Sequence, residues 1–234
     1  MLIDLHGHTK GISTCCRIYA PEVLAAAKAA GIDGICLCNH YQSRYVENGN
    51  AAAFARKYVE EFEYTTNLGQ QMGMPVLFGI EVTMERHENE HLLVYGVDES
   101  FPLLNPALYD LTQKELYRLV HANGGVLVQA HPLRKGKNVL MDPEYLDGVE
   151  VNCHPLYDAT HHEMLGKLAR ERGWILTCGG DYHADTHRAK CGVYLPETVT
   201  TGVELGAYLK NSTTLRLCVQ EVGEMTTFEK VYTR

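Results

Sequence analysis

The chain has 234 residues, with 21 Lys and Arg against 29 Asp and Glu, and carries a formal net charge of −8 at pH 7. This acidic balance disfavours broad binding to long nucleic acid or to an acidic membrane surface, because both depend on clustered cations. The sequence has no membrane-length apolar run and no secretory signal pattern, which predicts a cytoplasmic protein without a membrane partner. The length predicts a single domain over residues 1–234.

Short apolar runs alternate with helical patterns along the whole chain. The first half reads as a strand over 1–5, a helix over 20–33, a strand over 34–38, a helix over 50–73 and strands over 75–84 and 91–97. The second half reads as helices over 112–125, 159–174 and 203–211, between strands over 126–130, 148–152, 175–181 and 214–221. Repeated alternation of this kind is typical of parallel β-α units and favours a closed or nearly closed β/α barrel.

Ionisable side chains follow the predicted strands at their C-terminal ends, where active sites of α/β folds assemble. Residues two apart on a strand face the same side, so His6 and His8 can present two imidazoles to one ion. Imidazole and carboxylate ligands suit Zn, Mn or Fe(II), and a carboxylate such as Glu81 can bridge two ions. The strand-end set consists of His6, His8, His40, Glu81, His131, Asp181 and His183. Such a set exceeds the four ligands of a single tetrahedral site and indicates two or three metals.

Seven short motifs occur in the order DLHGHT, NH, GIEVT, EHLLVYG, AHP, VEVN and GGDYH. This ordered set resembles the successive motifs of the PHP (polymerase and histidinol phosphatase) family. The resemblance covers residues 3–196 and implies a distorted seven-stranded (β/α)7 barrel, similar to a TIM barrel. It also implies a dinuclear or trinuclear metal centre that hydrolyses phosphate esters.

The resemblance further implies a role for individual positions of this chain. Glu81 resembles the carboxylate that bridges two metals. The other implied ligands are His6, His8 and Asp181 for the first metal, His91 and His131 for the second, and His40 and His183 for the third. The implied cofactors are therefore two or three divalent transition-metal ions, Zn, Mn or Fe.

One segment departs from the family pattern. Family members usually place an Asp or His a few residues after the HxH motif, as a further ligand of the third metal. Here the segment reads KGISTCCRIYAPE, with no carboxylate or imidazole between His8 and Glu22. Either Cys15 or Cys16 replaces that ligand as a thiolate, which would favour Zn or Fe over Mn, or the third metal has only two protein side chains.

The expected activity is metal-dependent hydrolysis of a phosphomonoester, on a small phosphorylated metabolite as in histidinol phosphatases. Glu81, Asp181 and His183 are the predicted catalytic residues, and either Asp181 or His183 could carry a proton to the leaving group. Phosphate also needs cations, and Arg suits bidentate contact with its oxygens. The predicted phosphate-binding residues are Arg134, Arg188 and, third, Arg17.

Three other functions compete with this reading. A phosphodiesterase or exonuclease on nucleotides or short oligonucleotides would use the same ligands. A non-catalytic metal-binding PHP module would be expected to lack several of them. An amidohydrolase barrel also begins with HxH, but it would usually present a metal-bridging Lys and no DxH pair. His154 and His187 follow predicted strands and are further candidates for substrate contact.

Overall fold

The computed structural model of the chain describes residues 1–84, 90–134, 138–154, 161–183, 188–220 and 227–234. His187 lies outside the described residues. Twelve strands and six helices are present in the described part of the chain. The strands form two six-stranded mixed sheets, so the fold is of the mixed α/β type.

The helices begin and end at signals that are visible in the sequence. Helix α1 has a proline at its first turn, and the longest helix, α2, is followed by Gly73 in the left-handed conformation (φ 67°). Thr112 and Glu115 form a capping box at the start of α4. The helices are α1 (Ala20–Ala29), α2 (Ala51–Met72), α3 (Ser100–Leu104), α4 (Gln113–Ala122), α5 (His162–Arg172) and α6 (Gly202–Asn211).

The strands are short, and most are buried along their whole length, as expected for strands covered on both faces. In the first half of the chain they are β1 (Leu2–Gly7), β2 (Gly34–Leu37), β3 (His40–Tyr41), β4 (Val76–Phe78), β5 (Ile80–Thr83) and β6 (His91–Tyr95). In the second half they are β7 (Val126–Gln129), β8 (Gly148–Asn152), β9 (Ile175–Gly179), β10 (Gly192–Tyr194), β11 (Thr214–Gln220) and β12 (Thr227–Thr233).

The strand order differs from that of a barrel of parallel units. The first sheet has the order β12-β11-β10-β1-β2-β4, and the second has the order β3-β5-β6-β7-β8-β9. Strand β1 pairs antiparallel with β10, and β6 pairs antiparallel with both β5 and β7. The C-terminal strands β10, β11 and β12 are also joined antiparallel.

The expectation of a distorted seven-stranded (β/α)7 barrel is therefore wrong. The two sheets do not close into a barrel, and their strand order is not that of a TIM-like barrel. The physical reason is strand direction, because a barrel built from β-α units requires every strand to run parallel to its neighbours. The predicted strand over 75–84 is also two strands, β4 and β5, which belong to different sheets.

The two sheets meet beside the C-terminal end of β1. Gly7 at this end forms an isolated parallel bridge with Tyr182, which follows β9 of the second sheet. The backbone N–H of Asp181 donates to the carbonyl of His6 over 2.9 Å. The register of β1 against β2 shifts between Asp4 and Gly7, so β1 is irregular at this point. This junction brings the segments after β1 and after β9 together.

Two further properties of the described chain bear on the predictions. No helix within the described ranges combines the length and the apolar character that a membrane crossing requires. All eight cysteines lie in described segments, and none of them forms a disulfide; seven are buried, whereas Cys15 is exposed.

Candidate metal centre

The eight side chains predicted as metal ligands lie in one cluster at the junction of the two sheets. They are His6 in β1, His8 directly after it, His40 in β3, Glu81 in β5, His91 at the start of β6, His131 after β7, and Asp181 and His183 after β9. Most of these side chains are buried, which is costly for ionisable groups unless they are paired or hold an ion. The cluster therefore combines strand-end positions that are far apart in the sequence.

Glu81 lies at the centre of the cluster and is fully buried. Its Oε1 lies 2.8 Å from Nδ1 of His91, 3.2 Å from Nε2 of His131 and 3.4 Å from Nε2 of His6. Its Oε2 lies 2.5 Å from Nδ1 of His40 and 3.4 Å from Nε2 of His8. Each carboxylate oxygen thus faces a different set of imidazoles, which is the arrangement that a bridging carboxylate needs.

Hydrogen bonds fix the orientation of the first two imidazoles. Nδ1 of His6 lies 2.8 Å from Oε1 of Glu150, to which it donates. Nδ1 of His8 lies 3.1 Å from Oγ of Ser13. Because the Ser13 hydroxyl itself donates to Oδ1 of Asn39, it accepts from His8. Both rings therefore use a proton on Nδ1 in these bonds and turn Nε2 into the cluster, the orientation in which Nε2 can bind a metal.

Three atoms at the centre of the cluster form no hydrogen bond within the described residues. Nε2 of His6, Nε2 of His8 and Oε2 of Glu81 are buried without a hydrogen bond. A second proton on His8 is disfavoured because burial, together with the nearby His40 and His183, holds its pKa well below the usual value. An imidazole lone pair beside a carboxylate is repelled unless a cation lies between them. The residues present therefore fit a divalent metal of the Zn, Mn or Fe(II) type.

The geometry also supports more than one metal position. Three triads have ligand atoms that all lie within 4.8 Å of one another. They are His6, His8 and Glu81; His40, Glu81 and His91; and His8, His40 and His183. Glu81 belongs to two triads and His8 to two, so neighbouring positions would share ligands, as in a multinuclear centre.

Asp181 occupies an unusual backbone conformation at the edge of the cluster. Its φ is 48°, and that of His131 is 33°, in the left-handed region that non-glycine residues seldom adopt. Such strain is concentrated at functional sites, where the surrounding structure maintains it. Oδ1 of Asp181 lies 3.1 Å from Nε2 of His8. Burial would raise the pKa of Asp181, but Arg134, His6 and His183 outweigh burial and hold it well below its usual value.

The three predicted phosphate-binding arginines lie in different surroundings. The guanidinium of Arg134 donates to Oδ2 of Asp181 and, over 3.0 Å, to Oδ1 of Asn152, so it borders the cluster. Arg188 is buried, and its Nη2 donates to Oδ2 of Asp4 over 2.6 Å. Arg17 is exposed, and its backbone N–H donates to the carbonyl of His183 over 3.2 Å. Arg134 is thus beside a candidate ligand, whereas Arg188 is paired with an interior carboxylate.

The two adjacent cysteines have different environments. Burial opposes ionisation of the Cys15 thiol, but the neighbouring imidazoles of His183 and His40 outweigh it and lower the pKa of Cys15 to about 5. The Cys16 sulfur lies 3.7 Å from the carbonyl oxygen of His8 and 3.5 Å from that of Ile18, to which it donates. Burial raises the pKa of Cys16 to about 11. Only Cys15 therefore presents a readily ionised sulfur to the imidazoles of the cluster.

Glu150 is the functional residue that the motif analysis missed. Besides holding His6, its Oε2 accepts from the backbone N–H of His131 over 2.9 Å and from Nδ2 of Asn152 over 3.1 Å. The sequence contained a signal for it, because Glu150 and Asn152 are two residues apart in the strand VEVN and therefore point to the same face. Gly179 leaves room for this contact, since a Cβ there would come within 2.7 Å of Oε1 of Glu150.

His154 lies at the rim of the cluster. Its ring centroid is 5.8 Å from that of His183, and burial, with the nearby Arg134 and His183, lowers its pKa to about 4. His154 is therefore a neutral imidazole next to the cluster.

Comparisons with known proteins add information on the fold alone. No protein family matches the sequence, and no curated protein matches it either. The fold is similar to that of the crystal structure of PsfC from Pseudomonas syringae PB-5123, with a TM-score of 0.58 and 16% sequence identity. The similarity covers 98% of this chain and 90% of PsfC. The likeness therefore extends over nearly the whole chain.

Proposed function

We propose that this protein is a metal-dependent phosphoesterase of the PHP type, acting on a phosphomonoester of a small metabolite. The observation that carries the proposal is the convergence of buried imidazole nitrogens on Glu81, where Nε2 of His6, Nε2 of His8 and Oε2 of Glu81 form no hydrogen bond and fit divalent metals. The ordered motifs of the sequence point to the same class of enzyme. The net charge of −8 argues against long nucleic acid as the substrate.

In this proposal His6, His8 and Asp181 would hold the first metal, and His91 and His131 would hold the second. Glu81 would be a ligand of both. Divalent ions in such a centre lower the pKa of water towards ~7 and neutralise the charge that develops on the phosphoryl oxygens. Hydrolysis then adds water across the P–O bond, and the products are inorganic phosphate and an alcohol.

The protein's own residues orient this centre. Glu150 and Ser13 fix the rings of His6 and His8, so that their Nε2 lone pairs point inward without rearrangement. Arg134 holds Asp181 in place and presents a guanidinium at the edge of the cluster, where a phosphate oxygen could bind. Arg188 donates to Asp4, whose other carboxylate oxygen accepts from the backbone N–H groups of His6 and Gly180, so it supports the backbone beside the cluster.

For the third metal we propose His40, His183 and the thiolate of Cys15 as ligands. Both imidazoles are neighbours of the Cys15 thiol, and one ring nitrogen of each lies in a triad with His8. Cys16 is excluded from this role because its sulfur bonds to backbone carbonyls. Sulfur ligation favours Zn or Fe over Mn at this position.

The decisive experiment combines metal analysis with phosphatase assays. The purified protein is expected to bind two or more transition-metal ions per chain and to release phosphate from 4-nitrophenyl phosphate with Zn, Mn or Fe(II). Two variants should lose metal binding and phosphate release: Glu81→Ala, and His6→Ala combined with His8→Ala. The exposed Glu144→Ala should keep both. Full activity of the Glu81 variant would refute the proposal. A panel of phosphorylated metabolites and short oligonucleotides would then separate a monoesterase from a diesterase.

A further inference from the structure

A cleft opens beside the metal cluster. It has a volume of about 480 Å³ and is lined by Cys15 on one side and by Tyr45, Phe54 and Lys57 on the other. A smaller cavity of about 180 Å³ shares the last three of these residues and continues the same groove. A single phosphate group would occupy only a small part of this space, which lies in the range of small-molecule sites.

The cleft is directly connected to the cluster. Cys15 lines it and is a neighbour of His40 and His183. The hydroxyl of Tyr45 lies 3.8 Å from the Cys15 sulfur, and its ring centroid lies 6.4 Å from that of His40. A phosphoryl group at the cluster would therefore extend its ester oxygen and organic part into this groove.

The charge of the cleft is opposite to that of the whole protein. Arg44 and Lys57 line it against one carboxylate, that of Glu47, although the chain as a whole carries a charge of −8. Arg44 is fixed there: its Nη2 donates to the hydroxyl of Tyr45 over 3.1 Å, and its guanidinium lies 5.0 Å from the Tyr45 ring centroid. Phe54 adds a buried apolar wall.

We propose that this cleft binds the leaving group of the substrate, and that the leaving group carries a second anionic substituent recognised by Arg44 and Lys57. The inference rests on the proposed phosphoesterase activity and specifies its substrate class. The phosphate is held at the cluster, so the two cations of the cleft remain for another acidic group, such as a carboxylate. An apolar or aromatic portion between the two anions would pack on Phe54 and Tyr45.

The test compares the binding of two non-hydrolysable ligands, phenylphosphonate and 4-carboxyphenylphosphonate, by calorimetry with the metal-loaded protein. The wild type should prefer the carboxylated ligand. Lys57→Gln and Arg44→Gln should each reduce this preference by about three- to tenfold at low salt, since exposed charge pairs are modest and screened. Arg56→Gln is the matched control, because Arg56 is an exposed cation of the same helix that does not line the cleft.

Two results would overturn the inference: equal binding of both ligands by the wild type, or equal loss of affinity for both ligands in Lys57→Gln. The second result would mean that Lys57 contacts the phosphonate or stabilises the folded protein. Failure of the proposed function would appear differently, as absence of phenyl phosphate hydrolysis with every metal tested. The ligand comparison and the hydrolysis assay therefore report on the two proposals separately.

Discussion

Glu150 accepts a hydrogen bond from Nδ1 of His6 over 2.8 Å, although the two residues are 144 positions apart in the chain. Both side chains are fully buried. The contact fixes the tautomer of an imidazole whose other nitrogen faces the cluster. It makes Glu150 a positioning residue for the proposed metal centre.

The first prediction concerns this contact. Glu150→Gln should weaken metal binding by about 10- to 100-fold, the range found for partners that orient metal-binding histidines. The affinity can be measured by competition with a chromogenic chelator. The exposed Glu144→Gln is the control and should bind metal like the wild type. Unchanged affinity in Glu150→Gln would show that His6 needs no anchoring carboxylate.

The second prediction separates the two adjacent cysteines. With cobalt(II) in the protein, the thiolate of Cys15 should produce a sulfur-to-metal charge-transfer band in the near ultraviolet. Cys15→Ser should abolish this band and lower the metal content by about one ion per chain, because hydroxyl is a much poorer ligand than thiolate. Cys16→Ser should retain the band. Its loss in Cys16→Ser and persistence in Cys15→Ser would contradict the assignment.

The third prediction concerns metal removal. The cluster buries the carboxylates of Glu81 and Asp181 among imidazoles, so a chelator should leave these groups without their compensating cation. The melting temperature should therefore fall on treatment with EDTA and recover when Zn or Mn is added back. At a free metal concentration 100 times the dissociation constant, binding to the folded state alone adds about 2.7 kcal/mol of stability. A melting temperature insensitive to chelator would argue against a bound metal.

The fourth prediction tests packing away from the site. A Cβ on Gly206 of α6 would overlap the Cα of Gly96 and come within 2.7 Å of its backbone nitrogen. Gly206→Ala should therefore lower the free energy of unfolding by about 1–3 kcal/mol, as overpacking does. The matched control is Gly166→Ala in α5, where a Cβ meets side-chain atoms no closer than 3.7 Å. This variant should be neutral or more stable by up to about 1 kcal/mol, because alanine favours helix. Both changes in the free energy of unfolding can be measured by urea denaturation.

Local sequence patterns anticipated the helices better than the sheets. The predicted helices over 20–33 and 50–73 correspond to α1 and α2, since caps and apolar periods are local signals. The barrel prediction failed because strand direction depends on pairing between distant segments. The short strands β3 and β10 and the C-terminal strand β12 were not predicted, and the antiparallel pairing of β10 with β1 shows why they matter.

The candidate site shows the same division between local and distant signals. The HxH and DxH spacings predicted two pairs of candidate ligands, and the fold brings both pairs into the cluster, although Asp181 and His183 follow β9 and do not lie in it. Glu150 was overlooked although it lies in VEVN, because the resemblance assigned no ligand to that motif and a glutamate between two valines is no signal by itself. Cys15 and Cys16 could not be separated by sequence, since only the fold determines which sulfur meets His40 and His183.

The position of β1 between β2 and β10 has a consequence for the order in which the protein is assembled. Strand β1, which carries His6, lies next to β10, which is made of residues 192–194. The carboxylates nearest to the His6 ring are at positions 81, 150 and 181. On the ribosome, β1 emerges before residues 192–194, so its sheet cannot be complete until those residues have been synthesised. Metal loading would therefore be a late event, after synthesis has passed residue 194, and a shorter nascent chain would expose the histidines without capturing the ions.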